Sequence, residues 1–200
     1  MRLDSLRLEG FRNYASLSAR FVPGVNLIVG DNAQRKTNLL EAVTYLSMGK
    51  SFRTRREQEL IGIGAPFADL EAHVFSRERM QTIRAVLFPG RKPRQLFLGG
   101  VRQKTAAELN GILTTVLFCP EDLMTLKAGP AMRRKLIDTA LCQLRPGYDR
   151  ALSEYTRLHE HKSRILRDRW ENPQLLEALP EFNLRMAQVG AVLISYRARY

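Results

Sequence analysis

Cysteine and long apolar runs are what this chain of 200 residues has least of. Its two cysteines, Cys119 and Cys142, lie far apart and lack the spacing of metal ligands, so we predict reduced, mostly buried thiols. No apolar run approaches the roughly 20 residues that a membrane-spanning helix needs, and the N-terminus lacks the apolar core of a secretory signal. The composition excludes a disulfide-stapled secreted domain and a helical membrane protein, and we expect a cytoplasmic protein.

Acidic residues are also scarce. Asp and Glu number 20 against 32 Lys and Arg, which gives a formal net charge of +12. Such a surplus of positive charge attracts polyanions, among which nucleic acid is the leading candidate. A ribosome-associated or merely basic protein is the alternative that charge alone leaves open.

The hydrophobic pattern predicts an α/β part over residues 1–125. Alternating apolar residues near the N-terminus and again through 67–98 predict antiparallel strands and hairpins. The apolar runs at 25–29 and 115–118 predict buried strands. Helices are expected at 36–48, where an apolar stripe recurs, and at 105–113.

A helical part is predicted over residues 126–200. Apolar residues recur there at alternating steps of four and three, which is typical of helix packing. The members of this stripe are Phe182, Met186, Val189, Leu193, Tyr196 and Tyr200. Pro180 fits the first turn of that helix, and Trp170 is interpreted as an anchor of the packing.

A candidate phosphate-binding loop lies between the predicted strand 25–29 and the predicted helix 36–48. Backbone N–H groups in such a loop point at phosphate, helped by the positive end of the helix. Lys36 would reach the outer phosphates, and the Thr37 hydroxyl would ligate Mg²⁺. The candidate nucleotide-binding residues are Gly30, Asp31, Asn32, Ala33, Gln34, Arg35, Lys36 and Thr37.

Arg35 breaks the usual pattern of this loop, which has a second glycine at that position. A side chain there crowds the phosphates or the backbone dihedrals of the turn. It either impairs ATP binding or swings outward and adds a cation. The alternative interpretation is a basic strand-to-helix turn without a ligand.

An apolar run followed by acids at Val116–Asp122 resembles the strand that carries the catalytic acid of such ATPases. Pro120 separates the run from Glu121 and Asp122, so we interpret it as a strand-to-loop junction. No catalytic residue is therefore assigned in this chain.

Basic segments are candidates for binding the DNA backbone, because arginine and lysine neutralise phosphates. The first is the segment 50–56, with Lys50, Arg53, Arg55 and Arg56; its alternative interpretation is a solvated face. The hairpin tip Arg91–Arg94 is a second candidate. Residues 127–169 add eleven Lys and Arg against five Asp and Glu.

Several short blocks resemble the RecF family when taken in their order and spacing. They are Phe11-Arg12-Asn13-Tyr14, Asn38-Leu39-Leu40-Glu41-Ala42, Leu46–Thr54, Pro120-Glu121-Asp122-Leu123, and Gly129-Pro130 followed by Arg133-Arg134-Lys135 and Asp138. The resemblance covers nearly the whole chain. It implies an ABC-type ATPase head with a mixed sheet, an antiparallel β part and a second, helical lobe.

What the resemblance implies about function is specific. Family members bind ATP and double-stranded DNA, form an ATP-dependent homodimer, and work with RecO and RecR to load a recombinase at gaps. They are linked to recombination, replication and the SOS response. Arg12 and Asn13 follow the first strand, where related heads approach the nucleotide, so they are candidate nucleotide contacts.

Two departures from the family matter. Members have glycine where this chain has Arg35, and they run to about twice this length, with the Walker B and signature motifs downstream. We therefore expect an N-terminal fragment without the C-terminal half of the head, and weak ATPase activity only in full-length members. The rivals are a nucleotide-free DNA-binding or scaffold module and a P-loop kinase for small molecules.

Overall fold

Alternating apolar residues in the first part of the chain form one six-stranded sheet. Its strands are β1 (Arg2–Phe11), β2 (Tyr14–Arg20), β3 (Ala68–Ser76), β4 (Arg79–Leu87), β5 (Gln95–Leu98) and β6 (Val101–Gln103). They lie in the order β2-β1-β3-β4-β5-β6, and each neighbouring pair is antiparallel. The computed structural model describes residues 1–30, 36–119 and 129–200, which belong to two compact units, Met1–Cys119 and Pro120–Tyr200.

One face of the sheet packs against helix α1 (Lys36–Met48). Side chains alternate between the two faces of a strand, so paired residues such as Leu8 and Leu70 point to the same side. The buried side chains of this core include Leu6, Leu8, Leu70, Ala72, Ile83, Ala85, Leu39, Ala42, Tyr45 and Leu46. The predicted helix 36–48 and the predicted antiparallel strands are confirmed.

The two predicted buried strands at 25–29 and 115–118 are wrong for the described residues. Neither segment is a strand. Val25 is 91% exposed and Val116 fully exposed, although both runs are apolar. A strand is stabilised by hydrogen bonds to a neighbouring strand, and the sheet formed by the described residues offers neither run a partner.

One smaller prediction in this unit needs correction. The helix expected at 105–113 is only a 3-10 turn at Ala106–Leu109, after which Ile112 and Leu113 are buried without regular structure. Cys119 of this unit and Cys142 of the other are reduced thiols, and most of each residue is buried, as predicted.

Residues 129–200, the described part of the second unit, form three α-helices, α2 (Pro130–Leu144), α3 (Pro146–Asp168) and α4 (Leu179–Ala198). Its core consists of Leu141, Tyr148, Ala151, Val189 and Leu193. The predicted apolar stripe of α4 is confirmed from Phe182 to Tyr196, and Pro180 lies in the first turn. Within the described residues, no helix combines the length and apolar character that crossing a membrane requires.

Two aromatic residues of the second unit depart from the prediction. Tyr200 is 65% exposed because α4 ends at Ala198. Trp170 is 81% exposed rather than a packing anchor, since it lies in the turn after α3. The guanidinium of Arg169 lies 4.9 Å from the centre of its ring.

A partly buried polar cluster joins these three helices. Arg197 of α4 donates to Asp138 of α2 at 2.7 Å and to the hydroxyl of Tyr148 of α3 at 2.9 Å. The Tyr148 hydroxyl in turn donates to Asp138. Burial and the bond to Asp138 raise the pKa of Tyr148 to about 12.

Gly49 ends α1 in a left-handed conformation, with φ of 64° and an N–H that donates to the Tyr45 carbonyl at 2.7 Å. A Cβ at this position would lie 2.4 Å from the Cβ of Ala106. Gly64 has a similar φ of 76°, but nothing lies within 4 Å of its Cβ position. A side chain at Gly49 would therefore add both backbone strain and a steric clash, whereas one at Gly64 would add backbone strain alone.

We predict that Gly49→Ala lowers the free energy of unfolding by about 3 kcal/mol, because strain and overpacking add. Gly64→Ala has strain alone and is expected to cost about 1 kcal/mol. Urea unfolding followed by circular dichroism measures both. Equal losses in the two variants would contradict the close packing of Gly49 on Ala106.

Candidate nucleotide-binding site and basic loop

Helix α1 opens with Lys36 and Thr37, the two residues that the sequence assigns to phosphate and metal. Its first turn contains no acidic residue, so the positive end of the helix dipole is not neutralised there. The Lys36 ammonium donates to the carbonyl of Gly30, and Thr37 is exposed. The two described ends of the candidate loop, Gly30 and Lys36, are thus close in space.

The remaining candidate residues of the loop, Asp31, Asn32, Ala33, Gln34 and Arg35, lie outside the described residues. The described groups suit a nucleoside triphosphate by their chemistry. An ammonium and the backbone N–H groups of a helix N-terminus bind phosphate, and a hydroxyl oxygen is a ligand that Mg²⁺ accepts.

The carboxylate of Glu41 lies on α1 one turn after Lys36 and is fully buried. Arg12 donates to both of its oxygens, from Nε to Oε2 at 3.0 Å and from Nη2 to Oε1 at 2.8 Å. The Ser51 hydroxyl donates to Oε1 at 2.5 Å, and Arg53 lies 3.4 Å from Oε2. One buried charge therefore joins three segments of the chain.

The charge state of Glu41 follows from these contacts. Burial alone would raise the pKa of this carboxyl, because water no longer solvates the anion. The hydrogen bonds from Arg12 and Ser51, together with the charges of Arg12 and Arg53, outweigh burial and hold its pKa below the ordinary value. Glu41 is consequently ionised at neutral pH.

Both the backbone and the side chain of Arg12 form hydrogen bonds with other residues of the protein. Its φ is 53°, its N–H donates to the Leu60 carbonyl at 2.7 Å, and its Nη1 donates to the Glu59 carbonyl at 2.7 Å. With the bonds to Glu41, the guanidinium is held from three sides. Arg12 thus positions the end of β1 against α1.

Asn13, the second candidate after β1, is exposed and accepts a hydrogen bond from Asn38 at 2.7 Å. Asn38 is two residues beyond Lys36 on α1. Its side-chain oxygen accepts a bond from Arg53 at 2.8 Å. The candidate nucleotide contact Asn13 and the candidate DNA contact Arg53 are therefore joined through one side chain of α1.

We call residues Lys50–Arg56 the basic loop. Lys50, Arg55 and Arg56 are exposed and form no ion pair with any residue that the structure describes. The backbone is ordered by Ser51, whose Oγ accepts the N–H groups of Arg53 at 2.9 Å and Thr54 at 3.1 Å. Three cations thus project from a loop whose backbone is fixed.

The far end of the basic loop is held by Arg94, from the second candidate DNA segment. Arg94 donates to the Tyr45 hydroxyl at 3.0 Å, to the Gly49 carbonyl at 2.5 Å and to the carboxylate of Glu57. Burial, and to a lesser extent Glu57, raise the pKa of Tyr45. Arg94 is half-buried and internally bonded, while Arg91 and Lys92 at the same tip are exposed.

Glu41, Asn38 and Ser51 lie in the blocks that resemble the RecF family, but the sequence alone predicted no role for them. One signal could have found Glu41, since it interrupts the apolar stripe of the helix. Asn38 and Glu41 are three residues apart and therefore share one face of α1. Their shared partner Arg53 lies 12 residues beyond Glu41, and no sequence pattern indicated that contact.

In the helical unit, Arg133, Arg134 and Lys135 lie on the exposed first half of α2. They belong to the stretch 127–169, in which Lys and Arg outnumber Asp and Glu. Met132, Leu136 and Ile137 beside them are also exposed.

We predict that Glu41→Gln lowers the free energy of unfolding by about 3 kcal/mol at neutral pH, because it removes the charge that Arg12 and Arg53 neutralise. The pKa of Glu41 is lowered by folding, so its contribution is complete above the ordinary carboxyl value of about 4.3 and is lost as the pH falls below it. Urea unfolding at neutral and acidic pH measures the effect. A difference between variant and parent that stays constant as the pH falls would contradict it.

Known proteins match this chain over half to all of its length. A family model described as an AAA domain matches residues 5–105. The chain is 33% identical over 200 residues to the DNA replication and repair protein RecF of Clostridium kluyveri, aligning all of this chain with 54% of that protein. It is 38% identical over 199 residues to RecF of Symbiobacterium thermophilum, aligning 99% of this chain with 52% of that protein.

Solved structures are similar over the same extent. A structure of the recombination mediator protein RecF-ATPrS in the RecFOR pathway superposes with a TM-score of 0.90 at 32% identity, covering all of this chain and 54% of that one. A RecF-ATP structure superposes with a TM-score of 0.84 at 30% identity, again covering 100% and 54%. An Smc head domain from Pyrococcus furiosus, 23% identical with a TM-score of 0.53, shares the fold alone.

The match to the model spans half of this chain, and the chain spans about half the length of the curated relatives it matches. The predicted resemblance and the predicted fold class of an ATPase head are both confirmed. The chain belongs to the AAA domain family and is similar along its whole length to RecF proteins.

Proposed function

We propose that this chain is the nucleotide-binding part of a RecF-like DNA-repair ATPase head, which binds ATP with Mg²⁺ and double-stranded DNA. The start of α1 is the observation that carries this proposal, because Lys36 and Thr37 open the helix and the Lys36 ammonium reaches back to Gly30. Two similar solved RecF structures are named for ATP and ATPrS.

ATP when bound supplies the triphosphate whose charge the site must neutralise. Lys36 would contact the outer phosphates, the N–H groups of the first turn would donate to them, and the Thr37 hydroxyl would hold Mg²⁺. Asn13 and Asn38 lie beside this turn and would border the nucleotide. No residue of this chain is proposed as the catalytic base.

Duplex DNA would bind through its phosphates to the basic loop. Lys50, Arg55 and Arg56 are exposed, and their backbone is fixed by Ser51 and the residues that follow. Contacts of this kind read charge and shape rather than base sequence. The chain is therefore proposed to bind duplex DNA without sequence specificity.

The finer features follow from the RecF family by resemblance and are part of the proposal. They are an ATP-dependent homodimer, action with RecO and RecR, loading of a recombinase at gaps, and a link to replication and the SOS response. Full-length relatives are about twice as long, and hydrolysis is assigned to the whole protein rather than to this chain.

We predict that Lys36→Ala weakens ATP binding by about tenfold to 150-fold, because a charge-assisted contact to phosphate contributes about 1.5–3 kcal/mol. Equilibrium binding of a fluorescent ATP analogue with Mg²⁺ measures it. Arg79→Ala is the matched control, since Arg79 is an exposed cation at the β3–β4 hairpin. An unchanged affinity in Lys36→Ala would exclude a working phosphate loop.

A nucleotide-free DNA-binding or scaffold module is the second candidate function, favoured by Arg35 in place of the usual glycine. Arg35→Gly distinguishes the two, because removing the side chain relieves crowding of the phosphates. ATP binding that appears only in Arg35→Gly would support the nucleotide-free module. Comparable binding by both chains would support the ATP-binding function.

We predict that Arg55→Gln weakens duplex binding and reduces the slope of log affinity against log salt by about one, as expected for one lost phosphate contact. Arg79→Gln has the same change of charge at the opposite end of the sheet and is expected to leave the slope unchanged. Fluorescence anisotropy with a labelled duplex over a salt series measures both. Equal slopes in the two variants would place the DNA elsewhere.

A further inference from the structure

The first turn of α1 and the basic loop are joined by a continuous set of polar contacts. Asn38 lies two residues after Lys36 and accepts a bond from Arg53 at 2.8 Å. Arg53 also contacts Glu41, which is one turn further along the same helix. Arg53 is therefore bonded both to the first turn of α1 and to the turn that follows it.

The backbone of the basic loop depends on the same buried carboxylate. Ser51 donates to Glu41 at 2.5 Å while its oxygen accepts the N–H groups of Arg53 and Thr54. A hydroxyl whose proton is fixed by a carboxylate has its lone pairs directed at the loop. Glu41 thus sets both the side chain of Arg53 and the path of the backbone that carries Arg55 and Arg56.

The other end of the basic loop cannot move independently of α1 either. Arg94 links Glu57, which follows the loop, to Tyr45 and Gly49 at the end of the helix. The loop is consequently held to α1 at both ends. Arg12, which follows β1, donates to the same carboxylate, so Glu41 is also tied to a strand of the sheet.

We propose that Glu41 is a positioning residue that couples nucleotide binding at Lys36 and Thr37 to phosphate-backbone binding at the basic loop. This inference rests on the proposed function. Glu41 touches neither ligand and acts through Arg53 and Ser51. Coupling of two sites is a free energy that is equal in both directions, so DNA must tighten ATP binding by the same factor as ATP tightens DNA binding.

The experiment compares the affinity of the full chain for a short mixed-sequence duplex with and without ATP and Mg²⁺. In the parent chain, ATP is expected to tighten duplex binding about tenfold. Glu41→Gln is expected to bring this ratio close to one. Asp69→Asn is the matched control, because Asp69 is another buried carboxylate with an arginine partner, Arg84 at 2.6 Å, on the sheet face opposite α1.

Two exposed arginines of the basic loop make the test independent of folding. Arg53→Gln removes the contacts to Asn38 and Glu41 at a side chain that is 45% exposed, so we expect the fold to be retained. This variant is expected to bring the ratio of duplex affinities with and without ATP close to one. Arg55→Gln is expected to weaken duplex binding equally with and without ATP, which leaves the ratio unchanged. If circular dichroism shows that Glu41→Gln is unfolded, the ratio measured for Arg53→Gln decides whether the two sites are coupled.

The outcomes separate this inference from the proposed function. The coupling is supported if the ratio of duplex affinities with and without ATP falls to about one in Glu41→Gln and Arg53→Gln but is kept in Asp69→Asn. DNA must also tighten ATP binding in the parent chain by the same factor. ATP and DNA binding with an unchanged ratio in Glu41→Gln or, if that variant is unfolded, in Arg53→Gln overturns the coupling alone. A parent chain that binds no ATP or no duplex overturns the proposed function and the coupling together.

Discussion

A carboxylate removed from water must be neutralised and hydrogen-bonded by the protein, and Glu41 imposes this requirement on the first unit. Its side chain is fully buried on α1, and Arg12, Ser51 and Arg53 meet the requirement from two other segments. The end of β1 and the basic loop are consequently fixed relative to the helix that begins at Lys36. The hydrophobic core brings α1 onto the sheet, but it does not determine where these polar segments lie.

The candidate functional residues of this unit are placed by polar contacts at the ends of its regular elements. Lys36 and Thr37 begin α1, Arg12 and Asn13 follow β1, and the basic loop follows the end of α1. Loops at such positions can change sequence without disturbing the core, which is why binding residues are common there. The cost is that each loop needs its own anchors, here Ser51 at one end and Arg94, through Glu57, at the other.

Two apolar runs limit what the sequence could predict about the fold. The segments 25–29 and 115–118 have the composition of buried strands, yet neither is a strand among the described residues, and Val25 and Val116 are exposed. Apolar composition reports the tendency of side chains to leave water, whereas a strand also requires a neighbour for its N–H and C=O groups. The antiparallel strands were predicted correctly because each has its hairpin partner nearby in sequence.

The sequence by itself determined the helix at 36–48, the antiparallel strands, the apolar stripe of α4 and the family resemblance, because these depend on local periodicity and on motifs of adjacent residues. It also placed Lys36 and Thr37 at a helix start. Only the tertiary structure decided that Glu41, Asn38 and Ser51 join the candidate site, and that Arg12 and Arg94 bond to the protein. The physical reason is that these contacts join residues up to 49 positions apart, so they exist only once the sheet and α1 have packed.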